Sequence, residues 1–320
     1  MLTIYAVNVR DALPQGIRLL KEVGELEQSR NGTVLVAPCP VMTVYERPTE
    51  RVLFSAERDA NPFFHLAEAL WMLAGRRDAE FLNQFIKDFG ERFAQPDGRL
   101  HGAYGYRWRV HFIKDQLEEI IMMLLRDPTT RHAVLTMWDP VVDLGVLSHL
   151  KDRPCNTQAY FRINKNALDM TVLCRSNDII WGLYGANAVH FSVLQEYMAA
   201  QLELPVGVYY HLSNNFHAYQ TELEKRSGTM EDAREISTQP LVDAPAYFDE
   251  ELAALLQGAE PDFHNLFLSD TAFPMFDAYR AWRKKEFVRA RLILSEVRAD
   301  DWRTACQEWL WRRTKHVVAA

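Results

Sequence analysis

Pro154-Cys155, in "DRPCNTQ", sets a thiol just ahead of a strand-like run, where it could serve as a nucleophile once its proton is gone. Arg153 is the adjacent cation; composition alone favours a buried structural cysteine. A second stretch, "LCRSNDIIWG", puts Arg175, Ser176, Asn177 and Asp178 directly after an apolar run. Either a polar turn follows a strand there, or the strand delivers four hydrogen-bonding groups into a pocket. Glu68 sits in "NPFFHLAEALWMLAG", with Phe64 four residues before it and Trp71 and Met72 three and four after, so its helical face is apolar. A carboxylate desolvated in that way can shuttle protons near neutral pH, and on position alone a partly exposed glutamate at a helix edge has equal standing. "HGAYGYRWR" places Tyr104 between glycines that let backbone approach a ligand, a pattern that also fits a surface turn. In "HLSNNFHAY", His211 and His217 lie six residues apart without a third ligand, a poor metal set. His217 and Tyr219 alternate along a strand and share a face suited to a sugar hydroxyl.

The elements that must carry these groups follow from periodicity and capping. "LTIYAVNVRDAL" opens as a strand, and "NGTVLVAPCPVMTVYERP" reads as turn, strand, proline-limited kink and strand. Asn61 as N-cap, Pro62 at the first helical position and Gly75 as stop frame the helix that bears Glu68. "HFIKDQLEEIIMMLLRDP" is an amphipathic helix; "RHAVLTMWDP", "AYFRI" and "LDMTVLC" are strands; "NAVHFSVLQEYMAAQLEL" is a mostly apolar helix central to the core. "VGVYYHLSNNFHAY" reads as one strand that runs into polar residues. After about Glu222 the chain turns to helices with Trp and Leu on one face, ending in "DWRTACQEWLWRRTKHVV". The expected organisation is an α+β core over residues 1–225, a mixed sheet with packed helices, and a helical C-terminal extension over 226–320 packed on the same domain.

The 320 residues, 48% hydrophobic and 25% charged, suffice for one large domain or two small ones. A net charge of -7 argues against general nucleic-acid binding and leaves room for a local phosphate pocket. No run approaches the roughly 20 apolar residues of a membrane helix, and the N-terminus lacks a signal peptide's basic and apolar regions. Four cysteines without a C-x-x-C pair read as reduced thiols in a cytoplasmic protein. The common hydrolase, nucleotide-loop, zincin and dinucleotide motifs are absent from the sequence.

Taken in order, the motifs resemble the thymidylate synthase superfamily, deoxyuridylate and deoxycytidylate hydroxymethylases included, from about Arg30 to Tyr219. The resemblance is carried by Glu68, Tyr104-Gly105-Tyr106-Arg107-Trp108-Arg109, Arg131-His132, Pro154-Cys155, Arg175-Ser176-Asn177-Asp178, Gly182, Asn187 and His217-Ala218-Tyr219. It implies a homodimer with shared active sites, a pyrimidine nucleoside monophosphate as substrate, 5,10-methylenetetrahydrofolate as co-substrate, and no metal. It implies Cys155 as nucleophile, Arg30, Arg175 and Ser176 as phosphate ligands, and Arg131 as a ligand of the neighbouring subunit's phosphate. Asn187 would read the base, and His217 with Tyr219 the 3′-hydroxyl. Tyr104 and Glu68 would manage protons, while Asp178, Gly182, Phe89 and Arg58 would border the folate.

The sequence departs from the family pattern at several positions. Arg131 is followed by His132 instead of a second Arg, Asn156 follows the nucleophile where His is usual, and Arg58 replaces a Lys. One residue more than usual separates Gly182 from Asn187. Gly90 falls where a folate-stacking Trp belongs, with Phe89 and Phe93 beside it. A neutral Asn187 points to dUMP, and the missing Trp and closing tail point to hydroxymethylation ahead of methylation. A thymidylate synthase, a CMP or dCMP hydroxymethylase and an idle nucleotide-binding homologue are the competing expectations.

Overall fold

The computed structural model describes residues 1–145, 150–229, 236–260 and 262–314; the terminal "KHVVAA", where no closing tail was recognised, lies outside them. Ten strands form two sheets. The first, six-stranded, runs β1 (Leu2–Ala6), β4 (Val41–Tyr45), β9 (Val206–Ser213), β7 (Ala167–Cys174), β6 (Asn156–Asn164) and β5 (Val134–Thr136). The second, four-stranded, runs β2 (Glu25–Ser29), β3 (Gly32–Val36), β10 (Phe216–Tyr219) and β8 (Asn177–Asp178). Among the described residues three connections without an intervening helix pass from one sheet to the other: β3 to β4, β7 to β8, and β9 to β10. The last two cross side by side, since β7 pairs with β9 and β8 with β10, both parallel. The expected single strand "VGVYYHLSNNFHAY" is therefore two, broken at Asn214-Asn215. Those residues tie the crossings together: Asn214 N donates to Cys174 O at 2.8 Å, and Asn177 N to Asn215 O at 2.8 Å.

The main helices are α1 (Val9–Val23), α2 (Pro62–Leu73), α3 (Gln116–Arg126) and α4 (Ala188–Gln201). The last of these is buried over nearly its whole length, as its apolar sequence requires. Asn61 caps α2 through Phe64 N at 3.2 Å, Pro62 opens it, and Gly75 follows at φ +69°. Helix α1 lies where the sequence reading continued a strand. "LPQG" carries a proline and a glycine that argue against a helix interior, yet Pro14 is buried within it and Asn8 caps it. Gly16 is there for space, since a Cβ would fall 2.4 Å from the Tyr184 ring.

Helices α5 (Pro245–Leu256), α6 (Phe273–Arg283), α7 (Phe287–Glu296) and α8 (Asp300–Thr314) make up the C-terminal segment. Phe63 of α2 meets Tyr279 at 5.1 Å and Trp309 at 5.7 Å between ring centroids, and Trp282 packs on Trp309 at 5.0 Å. Phe63 points about 140° around α2 from Glu68. The aromatic helices thus brace the back of the helix whose other side carries the glutamate.

Candidate active site

Cys155 immediately precedes β6 and lies against the crossing of β7 into β8. Its carbonyl accepts from Arg175 N at 2.9 Å, and a β-bulge at Thr157 re-aims the strand so that Asn156 pairs with Cys174 and is fully buried. Arg175 Nη2 stands 3.6 Å from the Cys155 sulfur, while its Nε donates to Pro154 O at 2.9 Å. Arg175 and Arg30 pull the thiol's pKa down, but burial outweighs them and Asp152 adds to it, so the thiol is raised overall. Arg175 thus favours the thiolate, and burial opposes it.

Tyr104 reaches this strand from a turn fixed by close packing. A Cβ on Gly105 would lie 1.8 Å from the Met72 carbonyl oxygen at the end of α2. Arg107, fully buried, grips Asp143 with Nη1 at 2.6 Å and Nη2 at 3.0 Å and holds the turn against residues 137–143. "HGAYGYRWR" is a buried scaffold, not a surface turn. The Tyr104 hydroxyl receives Cys155 N at 3.2 Å, Asn156 N at 3.2 Å and Asn156 Nδ2 at 3.0 Å. Burial holds its pKa well above the ordinary tyrosine value, so the phenol keeps its proton.

From Asn156 a run of buried hydrogen bonds leads inward. Asn156 Nδ2 donates to Asn187 Oδ1 at 3.1 Å, and Asn187 Nδ2 to Asn177 Oδ1 at 3.1 Å. Asn177 Nδ2 donates to Ser213 Oγ and to His211 Nε2, each at 3.0 Å. His211 Nδ1 then donates to the Tyr209 hydroxyl at 2.5 Å. Asn187 closes a π-helical stretch, Ile179–Asn187, and its amide lies in this run. Gly182 leaves the space: a Cβ there would meet Asn177 Oδ1 at 3.0 Å.

Asp178 caps that stretch, accepting from Ile180 N at 2.7 Å and Trp181 N at 3.2 Å, and burial raises its pKa. Arg58 is buried, donates from Nε to Ile180 O at 2.7 Å and lies 4.4 Å from the Trp181 ring centroid. It supports the π-helical wall from behind. Glu68 faces His190 of α4, with Oε2 2.9 Å from Nε2, but off the ring's hydrogen-bonding direction, so both ring nitrogens of the buried His190 lack a hydrogen bond.

Arg30 is exposed in the β2–β3 turn, beside Asn31, whose amide donates to the Tyr219 hydroxyl at 3.4 Å. His217 pairs in register with Asp178, and its ring lies 6.3 Å from that of Tyr219. Ser176, half-buried, follows Arg175 at the crossing. These groups surround one crossing. Arg131 does not join them. Continuing the β5–β6 register sets it opposite Ile163, eight residues from Cys155, about 26 Å at ~3.3 Å per residue. Phe89 is buried in a row of rings, 5.6 Å from Phe64 and 5.0 Å from Phe93, and only Phe93 is exposed. A Cβ at Gly90 would stand 3.2 Å from Ala79 Cβ and from Asn83 Nδ2, so a larger residue there needs these side chains to give way.

The sequence reading passed over three residues and one contact. His190 looked like one more core position of an apolar helix. Asn177 was already placed in the run that reaches the pocket, but no periodicity announces its tie to Asn187, ten residues on. Asp152 stands in the loop before Pro154, where only its distance of three residues from the thiol could have drawn notice. Trp181, half exposed and flanked by Arg58 and Arg226, looked like a core apolar residue.

Fold and sequence together are those of a one-carbon transferase. A thymidylate synthase family model matches residues 16–246, and the chain belongs to that family. It is 44% identical, over 98% of its length and 95% of the other's, to a protein of Pseudomonas phage M6 named deoxyuridylate hydroxymethyltransferase. A protein of the same name from Bacillus phage SP01 is 38% identical over 56% of this chain and 49% of its own length. The thymidylate synthase of Phytoplasma mali is 30% identical over 46% of this chain and 48% of its own.

Burial drives the pKa of His211 down to about 3 and that of His65 well below its ordinary value, so both are neutral in the fold. Once unfolded they return to about 6.5 and bind protons that the fold refuses. Their stability contribution is full above that value and is lost as pH falls toward 3. Denaturant midpoints should be flat above about pH 7 and fall below it, by up to ~1.4 kcal/mol per pH unit per histidine. A flat midpoint from pH 7 to 5 would contradict the neutral pair.

Proposed function

We infer that this chain is a folate-dependent deoxyuridylate hydroxymethyltransferase that converts dUMP to 5-hydroxymethyl-dUMP. The observation that carries the reading is the convergence of thiol, guanidinium, neutral phenol and base-facing amide, in a chain that aligns end to end with a phage protein of that name. Arg30, Arg175 and Ser176 bind the phosphate, and the phosphate in turn draws Arg175 toward the substrate. His217 and Tyr219 take the 3′-hydroxyl. Asn187 presents a neutral amide that accepts from N3–H and donates to the C4 carbonyl of uracil, which disfavours cytosine. Cys155 adds to C6, and C5 becomes nucleophilic. Tyr104, a neutral phenol fed by three N–H donors, orders the water that removes the C5 proton, and Glu68 passes protons at the base.

5,10-Methylenetetrahydrofolate, when bound, supplies the one-carbon unit, and supplies a hydride as well when a methyl product forms. The residues fit a flat, partly apolar molecule: Trp181 offers an exposed ring beside Gly182 in the stretch that Asp178 caps, and Phe93 exposes the end of the row begun by Phe64 and Phe89. Arg58 stiffens Trp181. Methylation needs water kept away from the reacting carbon. Gly90 in place of a Trp, with Phe89 turned into the core, leaves that side open to water and favours the alcohol. The exposed Phe93 is the one feature that favours the runner-up, a thymidylate synthase.

We also read residues 1–225 as the catalytic core and the later helices as its brace. Among the described residues no helix is long and apolar enough to cross a membrane, and the four cysteines are free thiols, which supports a cytoplasmic setting, the host's for a phage protein.

Incubation of dUMP with methylenetetrahydrofolate should give 5-hydroxymethyl-dUMP and tetrahydrofolate. Stoichiometric dTMP with dihydrofolate, read by its ultraviolet absorbance, would contradict the reading. A second expectation concerns assembly. Arg131 lies too far from its own Cys155 to serve it, so we assign it to the phosphate of a partner subunit in a homodimer. Mixing Cys155→Ser with Arg131→Ala protein should restore up to about a quarter of wild-type activity, because half the dimers are hybrids with one intact site. No recovery after verified subunit exchange would contradict the shared site.

A further inference from the structure

Asn156 is fully buried, and among the described residues its Oδ1 has no hydrogen-bond partner, while its Nδ2 is committed to Tyr104 and Asn187. A buried acceptor without a donor is rare, and one beside a nucleophile calls for a small donor that arrives with the reaction. The opposite flank of Cys155 carries Asp152. Its Oδ2 accepts from Gly102 N at 2.8 Å, and Oδ1 has no hydrogen bond among the described residues. Gly102 makes the approach possible: a Cβ there would stand 2.8 and 2.9 Å from the two carboxylate oxygens. The carboxylate is close enough to raise both the Cys155 thiol and the Tyr104 phenol, and Glu68 in turn raises Asp152. One carboxylate three residues before the nucleophile and one acceptor a single residue after it thus flank the thiol.

We propose that Asn156 and Asp152 hold the water that captures the C5 methylene of the nucleotide, Asn156 accepting one hydrogen bond from it and Asp152 taking its other proton. The proposal rests on the hydroxymethylation reading above. The water oxygen bonds to the exocyclic carbon as its proton passes to Asp152, and the carbon–carbon π pair moves to the C4 oxygen as an enolate. The enolate then collapses, restores C5=C6 and expels the Cys155 sulfur from C6. The proton on Asp152 returns to that sulfur, so thiol and carboxylate are both regenerated. Nothing is oxidised or reduced in these steps. Burial raises Asp152 above an ordinary aspartate and makes it a better base for water.

The test compares wild type with Asp152→Asn, which keeps the side-chain shape, and Asn156→Ala. Three readouts are taken with dUMP and methylenetetrahydrofolate: tritium released from C5, 5-hydroxymethyl-dUMP formed, and the C5 thioether captured by added 2-mercaptoethanol. A fourth needs no folate: exchange of ¹⁸O from water into 5-hydroxymethyl-dUMP, which runs the capture step backwards and forwards. In Asp152→Asn, alcohol formed per tritium released should fall by about 10–100-fold. Thioether should rise and ¹⁸O exchange should fall with the alcohol; Asn156→Ala should change in the same direction. The proposal is overturned if both variants keep the wild-type ratio and exchange. It is equally overturned if tritium release and alcohol fall together, since Asp152 would then act on the thiol instead of on water. A wild type that releases no tritium removes the underlying activity, and the proposal with it.

Discussion

Asn177 donates one amide to both His211 and Ser213 and accepts from Asn187, and through it the two sheets, the π-helical stretch and the nucleophile's strand are held in one arrangement. Its neighbours settle which way the hydrogen bonds run. Burial keeps His211 neutral, so Nε2 accepts from Asn177 and Nδ1 donates to Tyr209. A protonated His211 would turn an N–H toward the Asn177 amide N–H, and the run would break at its centre. In a region of low dielectric, amides that satisfy one another are worth more than their number, and a half-satisfied set is worse than an apolar core. The unpartnered Oδ1 of Asn156 is then the place where this network meets the reaction.

The crossing of chains between sheets explains why so few residues build so much of the site. β7 and β9 both leave the first sheet at the level of Cys174 and Ser213 and enter the second at Asn177 and Phe216. Arg175 and Ser176 occupy the gap on one strand, and His217 with Tyr219 follows on the other. Cys155 sits at the mouth of the adjacent strand. A regular sheet would bury these positions or expose them alternately, whereas a switch opens a pocket at the ends of the strands and lines it with residues from several of them.

Much of this was legible in the sequence because its signals were local. Asn61, Pro62 and Gly75 frame α2 as capping rules require, and the order of the motifs around Cys155 and Arg175 carried the family and fold. What was missed depended on contacts distant in sequence. Pro14 and Gly16 argue for a turn by propensity, but tertiary packing against Tyr184 keeps them helical. The break at Asn214-Asn215 has no proline or glycine to announce it; the partner strand's own crossing sets it. Asp152 and His190 become interesting only once folding brings them to Cys155 and Glu68.

The amide at Asn187 is fixed on both sides by Asn156 and Asn177, and we propose that network and substrate choice meet there. The most direct measurement is the ratio of kcat/KM for dUMP and dCMP in wild type and in Asn187→Asp. A polar mismatch in a buried site costs about 1–3 kcal/mol, so wild type should prefer dUMP and the variant should shift toward dCMP by roughly 10-fold or more. An unchanged ratio in a variant that still turns over would contradict the claim that this amide run reads the base.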